Sequence, residues 1–261
     1  MKSLFKNIEG ILCDIDGTLY FKGAPIQGAI DTVSHLKEIG MKILFFTNTD
    51  SKSPHGIYTI LKDFGFQIQE DEIYSPIIAL KEFLAKHPSK KLFLVTTQEV
   101  AREFQEYDVI GENETPDFVI IGDFQDDWDV NRLNRAFQLV LQGATLLGTQ
   151  GNIFYLDPEG NPVIDTGSFV QMIAHATKTR AKIFGKPSKD YFEQAIELIN
   201  VPRENIVVIG DDYESDIQGA FNAGIRAILV KTGKGKYFVI GDGKKLPDMI
   251  IPSFSSLKEY L

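Results

Sequence analysis

Two hydrophobic periods run along this chain and trade places at regular intervals. Ile11-Leu12-Cys13 and Lys42–Phe46 (KILFF) are short, continuous apolar runs, as expected of strands buried on both faces. Between them Ile30, Val33 and Leu36 recur at helical spacing, and Gly40 marks the stop. A second helical pattern follows Pro54, with Ile57, Ile60, Leu61 and Phe64, and Gly65 closes it. Strand, helix, strand, helix with continuous apolar strands predicts a parallel sheet covered on both sides.

The rhythm returns at the far end. Residues 181–185 read as a short strand, and Tyr191–Ile199 carry helical periodicity. Asn205–Gly210 (NIVVIG) form another apolar run, 215–223 read as helix up to Gly224, and Arg226–Val230 as a strand. Both ends are expected to share one sheet. The middle has strands of its own at 92–95, 118–121 and 145–148, and a helical face of Val130, Leu133, Phe137, Val140 and Leu141. Asp157–Asn161 is a turn signal between Ile153–Leu156 and Pro162–Ile164, which predicts a hairpin. The expected fold is α/β, a doubly wound, Rossmann-like parallel sheet built from 1–78 and 180–261, with an inserted α/β domain over 79–179.

Composition narrows the function. Of 261 residues, 43% are hydrophobic and 24% charged, ordinary for a chain with a sizeable core. Acidic side chains outnumber basic ones 36 to 27, for a net charge of -9, and no basic stripe offsets them, which argues against nucleic acid as a partner. One cysteine, Cys13, rules out an intrachain disulfide and a cysteine zinc cluster; it precedes Asp14 in a buried strand and reads as packing. The N-terminus lacks an apolar run of signal-peptide length, and no stretch has the length of a membrane span, so a cytoplasmic protein without a membrane partner is expected. The sequon Asn113-Glu114-Thr115 then reads as chance, and the scattered His35, His55, His87 and His175 lack ligand spacing. Asp126, Asp127 and Asp129 around Trp128 read as a solvated loop before a helix, the alternative being a substrate contact.

The strand ends carry the chemistry. Asp14 and Asp16 sit two apart at the end of the first strand, a spacing that can aim both carboxylates to one side, and Gly17-Thr18 breaks the strand there. Asp and Gly also form turns, so the pair alone leaves a structural reading open. The other strands end comparably: KILFF at Thr47-Asn48, the 181–185 run at Lys186, and NIVVIG at Asp211-Asp212 with Asp216 beyond. Open α/β sheets bind ligands outside the carboxyl ends of their strands. Five carboxylates gathered there would need a cation, and a hard divalent ion such as Mg²⁺ takes oxygen ligands. Lys186 and backbone N–H groups near Asn48 could hold an anion beside it, and together these are the parts of a phosphoryl-transfer site.

In that order the motifs resemble the haloacid dehalogenase superfamily. Asp14-Ile15-Asp16-Gly17-Thr18 is similar to its first motif, Thr47-Asn48 to the second, Lys186 to the third, and GDDYESD over 210–216 to the fourth. The resemblance implies Asp14 as nucleophile and Asp16 as general acid and base. It implies Mg²⁺ on the Asp14 carboxylate, the Asp16 carbonyl and Asp211. Thr47, Asn48 and Lys186 would hold phosphoryl oxygens, with Asp212 or Asp216 acting through water or by orienting Lys186. An acidic residue at 16 disfavours dehalogenation, and Ile15 with no membrane segment disfavours the ion pumps, which leaves a phosphatase. The spacings are 33 positions from Asp14 to Thr47, 139 from Thr47 to Lys186 and 25 from Lys186 to Asp211, so the insertion lies in the middle. A large α/β cap there resembles the NagD-like, p-nitrophenyl-phosphatase-like branch, whose members often dimerise through the cap. Thr149-Gln150-Gly151-Asn152 stands in the cap's substrate loop, and Gln150 and Asn152 would favour neutral, hydroxyl-bearing leaving groups such as sugar or nucleoside phosphates. The competing readings are a catalytically idle phosphate-binding regulator on the same fold, and a mutase-like phosphotransferase.

Overall fold

The computed structural model describes residues 7–111, 114–125, 127–157, 159–241, 243 and 245–261. Asn113 of the sequon, Asp126 of the acidic loop and Pro158 of the predicted turn lie outside them.

Six parallel strands form the core sheet, in the order Met249–Ile251, Arg226–Val230, Ile206–Gly210, Gly10–Cys13, Lys42–Phe46 and Ile73–Tyr74. Gly10–Cys13 lies at the centre, pairing with Ile206–Ile209 on one side and Lys42–Phe45 on the other. Alternate strand residues serve opposite faces. Ile11, Cys13, Ile43, Phe45, Val207 and Ile209 pack with the helices Ala29–Glu38 and Pro54–Asp63. Leu12, Leu44, Phe46, Ile206 and Val208 pack on the other side with Lys189–Ile199. Burial on both faces is why these strands are continuous apolar runs.

A second, five-stranded parallel sheet forms the cap, in the order Lys182–Ile183, Thr145–Gly148, Phe118–Ile121, Lys91–Val95 and Asp108–Val109. Its outer face packs on the helices Val130–Leu141 and Thr166–Thr177. Its inner face does not stand apart from the core, because Leu92, Leu94, Phe118, Ile120 and Leu147 belong to the same apolar cluster as Leu12, Leu44 and Phe46. The helix Pro76–Ala85 lies within that cluster through Ile77, Leu80 and Leu84.

One expected strand is placed differently. The run at 181–185 was expected in the core sheet, but Lys182 and Ile183 pair with Leu147 and Gly148 at the edge of the cap sheet. Ile183 packs against the cap's own apolar cluster, and the core edge is closed instead by Ile73–Tyr74. The predicted hairpin is present, Phe154–Leu156 pairing antiparallel with Pro162–Ile164. Among the described residues no helix is long and apolar enough to cross a membrane.

Candidate active site

Asp14, Thr47 and Asp211 follow three adjacent core strands and so reach one edge of the sheet. Asp14 is 5% exposed. Its Oδ1 accepts from Lys186 Nζ at 2.7 Å and its Oδ2 from Thr18 Oγ1 at 2.8 Å. Lys186, 1% exposed, gives its other two protons to Asp216 Oδ1 at 2.7 Å and the Phe46 carbonyl at 3.0 Å. Lys186 reaches the site from a segment crossing over from the cap sheet. Asn48 clamps that segment reciprocally: its Oδ1 accepts from Lys186 N at 2.6 Å, and its Nδ2 donates to the Lys186 carbonyl at 2.9 Å. Asn48 Nδ2 also donates to Asn152 Oδ1 at 3.0 Å, so its side chain serves the crossing. Tyr191 stands behind the second motif, its hydroxyl donating to the Thr47 carbonyl at 2.7 Å.

Carboxylate oxygens of Asp14, Asp211 and Asp216 lie within 4.8 Å of one another, and all three residues are buried. Lys186 pairs with only two of them, which leaves surplus negative charge in a buried site. Burial, reinforced by Asp14 and Asp216, pushes the Asp211 carboxyl well above the usual range. Burial raises Asp14 against the pull of Lys186, and it raises Asp216 to about 7. Burial alone would lower Lys186, but Asp14 and Asp216 reverse this and hold it as an ammonium. A hard divalent cation such as Mg²⁺ fits this donor set: the ligand atoms are oxygens, they are close enough to share an ion, and their excess charge is of the sign it would neutralise. The backbone crowds Asp211 on two sides. A β-carbon at Gly17 (φ 85) or Gly233 (φ 45) would overlap its carboxylate, so both positions demand glycine.

Asp16 is exposed, and its Oδ2 accepts from Thr49 Oγ1 at 2.8 Å. The Thr49 hydroxyl in turn lies 2.7 Å from Thr47 Oγ1. Of the two supporting acids, Asp216 holds Lys186, with its second oxygen accepting from Asp212 N at 3.0 Å. Asp212 does not touch Lys186. It caps the wide helical turn Tyr213–Ile217 and pairs with Lys234 Nζ at 2.6 Å. Lys234 was not expected from sequence, yet its N–H bonds Asp211 Oδ2 at 2.6 Å and its Nζ donates to the Phe154 carbonyl of the cap hairpin at 2.8 Å. Its position just beyond the strand Arg226–Val230 is the signal that could have marked it.

The site opens into a cavity of about 440 Å³ between core and cap. Gln150 and Asn152 both line it, but their groups are largely committed. Gln150 Nε2 donates to Asp165 Oδ1 at 2.8 Å, and Gln150 Oε1 accepts from Asn152 N at 2.5 Å. Tyr155, Asp157 and Asp123 line the cavity as well, and sequence reasoning had not marked them for it. Asp127, Asp129 and the histidines are not among the lining residues; Asp129 caps the helix Val130–Leu141.

Asp50 ties core to cap. It is 4% exposed, and its Oδ2 accepts from Thr149 Oγ1 at 2.5 Å and Thr166 Oγ1 at 2.9 Å. Burial, then the charge of Asp165, push its carboxyl up to about 8, and burial raises Asp165 to about 6. The folded chain therefore binds more protons than the unfolded chain above the ordinary carboxylate range, so stability falls as pH rises toward 8. Asp50→Asn is expected to flatten that fall by about 1 kcal/mol per pH unit between about pH 5 and 7. Urea unfolding across that range measures it, and an unchanged slope would refute the assignment.

Residues 11–110 match the haloacid dehalogenase-like hydrolase family, and residues 183–257 match a HAD-hydrolase-like family. Haloacid dehalogenase-like hydrolase domain-containing protein 2 of Mus musculus is 32% identical over 229 residues, covering 88% of this chain and 86% of that protein. The chain belongs to the haloacid dehalogenase-like hydrolases and is an enzyme of that family. Phospholysine phosphohistidine inorganic pyrophosphate phosphatase of Xenopus laevis is 32% identical over 241 residues, covering 90% of this chain and 87% of that protein. The crystal structure of a 4-nitrophenylphosphatase from Thermotoga maritima superposes with a TM-score of 0.87 at 28% identity, covering 98% of both chains. The resemblance to the NagD-like, p-nitrophenyl-phosphatase-like branch therefore holds, cap included.

Proposed function

We propose that the chain is a Mg²⁺-dependent phosphomonoester hydrolase that works through an aspartyl-phosphate on a small metabolite, with sugar and nucleoside phosphates favoured. The observation that carries this reading is the buried Asp14–Lys186–Asp216 chain of 2.7 Å contacts, with Asp211 close enough to share an ion. Asp14, Asp211 and the Asp16 carbonyl would hold Mg²⁺, which supplies charge neutralisation at the transferring phosphoryl group. A carboxylate oxygen of Asp14 attacks phosphorus as the bond to the leaving oxygen breaks, and Asp16 gives that oxygen its proton. Asp16, now ionised, takes a proton from water as the water attacks phosphorus. The bond to Asp14 then breaks, inorganic phosphate leaves, and both carboxyls return to their starting states. Thr47, the Asn48 backbone and Lys186 hold the phosphoryl oxygens; Lys186 is shared with Asp14 until substrate arrives. Asp216 fixes Lys186, and Asp212 fixes the turn that carries Asp216.

The test is phosphate release from a panel of phosphomonoesters with Mg²⁺ and with EDTA. Release that EDTA abolishes and Mg²⁺ restores is the expected result. Undiminished release in EDTA would overturn the metal assignment, and phosphate binding without turnover of any ester would favour the idle regulatory reading.

A further inference from the structure

The part of the cavity wall supplied by the cap is negatively charged. Asp123, Asp157 and Asp165 line it, and no cap lysine or arginine does among the described residues. The cations that line it come from the core and are mostly spent. Lys186 is paired with Asp14 and Asp216, Lys234 with Asp212, and Lys52 with Glu99. Lys22 is exposed, lying over the Phe21 ring. Asp157 is held as a charge by its surroundings. Asp157 accepts from both Asn161 N and Asn161 Nδ2, at 2.7 and 3.1 Å, and the backbone bond above all keeps its carboxyl below the usual range. All three acids line the same cavity as Tyr155. Lys234 anchors the hairpin that carries Tyr155 and Asp157, through the Phe154 carbonyl and a position 4.8 Å over the Phe154 ring.

A phosphomonoester with its phosphorus at Asp14 must place its leaving group in the rest of this cavity, against that wall. A second anion there faces Asp123 and Asp157, with Asp165 behind them, in a partly enclosed space, where one such repulsion is worth about tenfold or more in affinity. We propose that the cap wall is a charge filter: the site takes phosphomonoesters whose leaving group carries no second anion, and prefers those that carry an ammonium group. The inference rests on the phosphatase reading above and names the substrate class within it.

Three two-carbon esters of matched size test it: phosphoethanolamine, 2-hydroxyethyl phosphate and phosphoglycolate, with p-nitrophenyl phosphate as a reference. In the wild type kcat/KM should fall in that order, with the ammonium ester ahead of the carboxylate ester by about tenfold or more. The leaving alcohols differ in intrinsic reactivity, so the decisive readout is the ammonium-to-carboxylate ratio in variants. Asp123→Asn and Asp157→Asn should each reduce that ratio by about threefold or more, and added salt should compress it in the wild type. A ratio near one or inverted in the wild type would overturn the filter, as would a ratio unmoved by both substitutions. Hydrolysis of p-nitrophenyl phosphate alongside either result leaves the phosphatase reading standing. Release of phosphate from none of the four esters would overturn that reading and the filter with it.

Discussion

Asp14→Asn is expected to cut phosphate release from p-nitrophenyl phosphate by about 10⁴-fold or more, because the amide that replaces the carboxylate is a poor nucleophile for phosphorus. The substitution keeps the shape of the side chain, and its oxygen can still accept from Thr18 or Lys186. It also removes one of the three clustered carboxylates, so the metal-free fold should be at least as stable as the wild type. That pairing of outcomes separates chemistry from folding. Steady-state release and thermal unfolding, measured on the same preparation without added metal, check it. Residual turnover within tenfold of the wild type would mean that another group attacks phosphorus.

Lys186→Met should have the largest effect on stability. It removes the ammonium that Asp14 and Asp216 share, and leaves two carboxylates buried without a cation. Breaking a buried ion pair from one side costs about 3–5 kcal/mol. Urea unfolding of the metal-free protein near neutral pH should show that loss, and activity should fall with it. Asp216→Asn in the same chain should recover part of the stability, because it removes one of the stranded charges, while activity stays low. The single variant should also regain stability as pH falls, since protonating the two carboxyls removes the same cost. A loss under about 1 kcal/mol would mean that solvent reaches these groups.

The four inner core strands were legible because they are buried on both faces, and a strand of that kind is a continuous apolar run that needs no partner to be recognised; the short edge strands Ile73–Tyr74 and Met249–Ile251 were not. The site was legible for a related reason: Asp14, Thr47 and Asp211 each end such a run, and parallel strands carry their ends to one edge. What escaped was the junction between the two sheets. The helix Pro76–Ala85 (PIIALKEFLA) is apolar nearly all round because it packs against both core and cap, so it lacks the one-sided period that marks a surface helix. The run at 181–185 looked like every other core strand, since a short apolar segment does not state which of two sheets it will join. The roles of Asp50 and Lys234 come from partners 99 and 80 positions away, respectively. Gln150 and Asn152 line the cavity, and they also hold Asp165 and the Lys186 crossing in place. No local pattern could have shown that Gln150 is 1% exposed.

The order of strands also dictates when the enzyme can begin to exist. During synthesis the N-terminal part emerges first and domains fold as units. Gly10–Cys13, which carries Asp14, is the central strand of the core, yet its neighbour Ile206–Gly210 is the third strand from the end of the chain. The cap sheet, by contrast, draws all its strands from one continuous stretch, Lys91 to Ile183. On the ribosome the cap can close its sheet while Asp14 still waits for the strand that completes its own. A polypeptide cut short before Asp211 would thus carry every strand of the cap sheet, its inner face lacking part of the core it packs on, over a site that cannot be assembled.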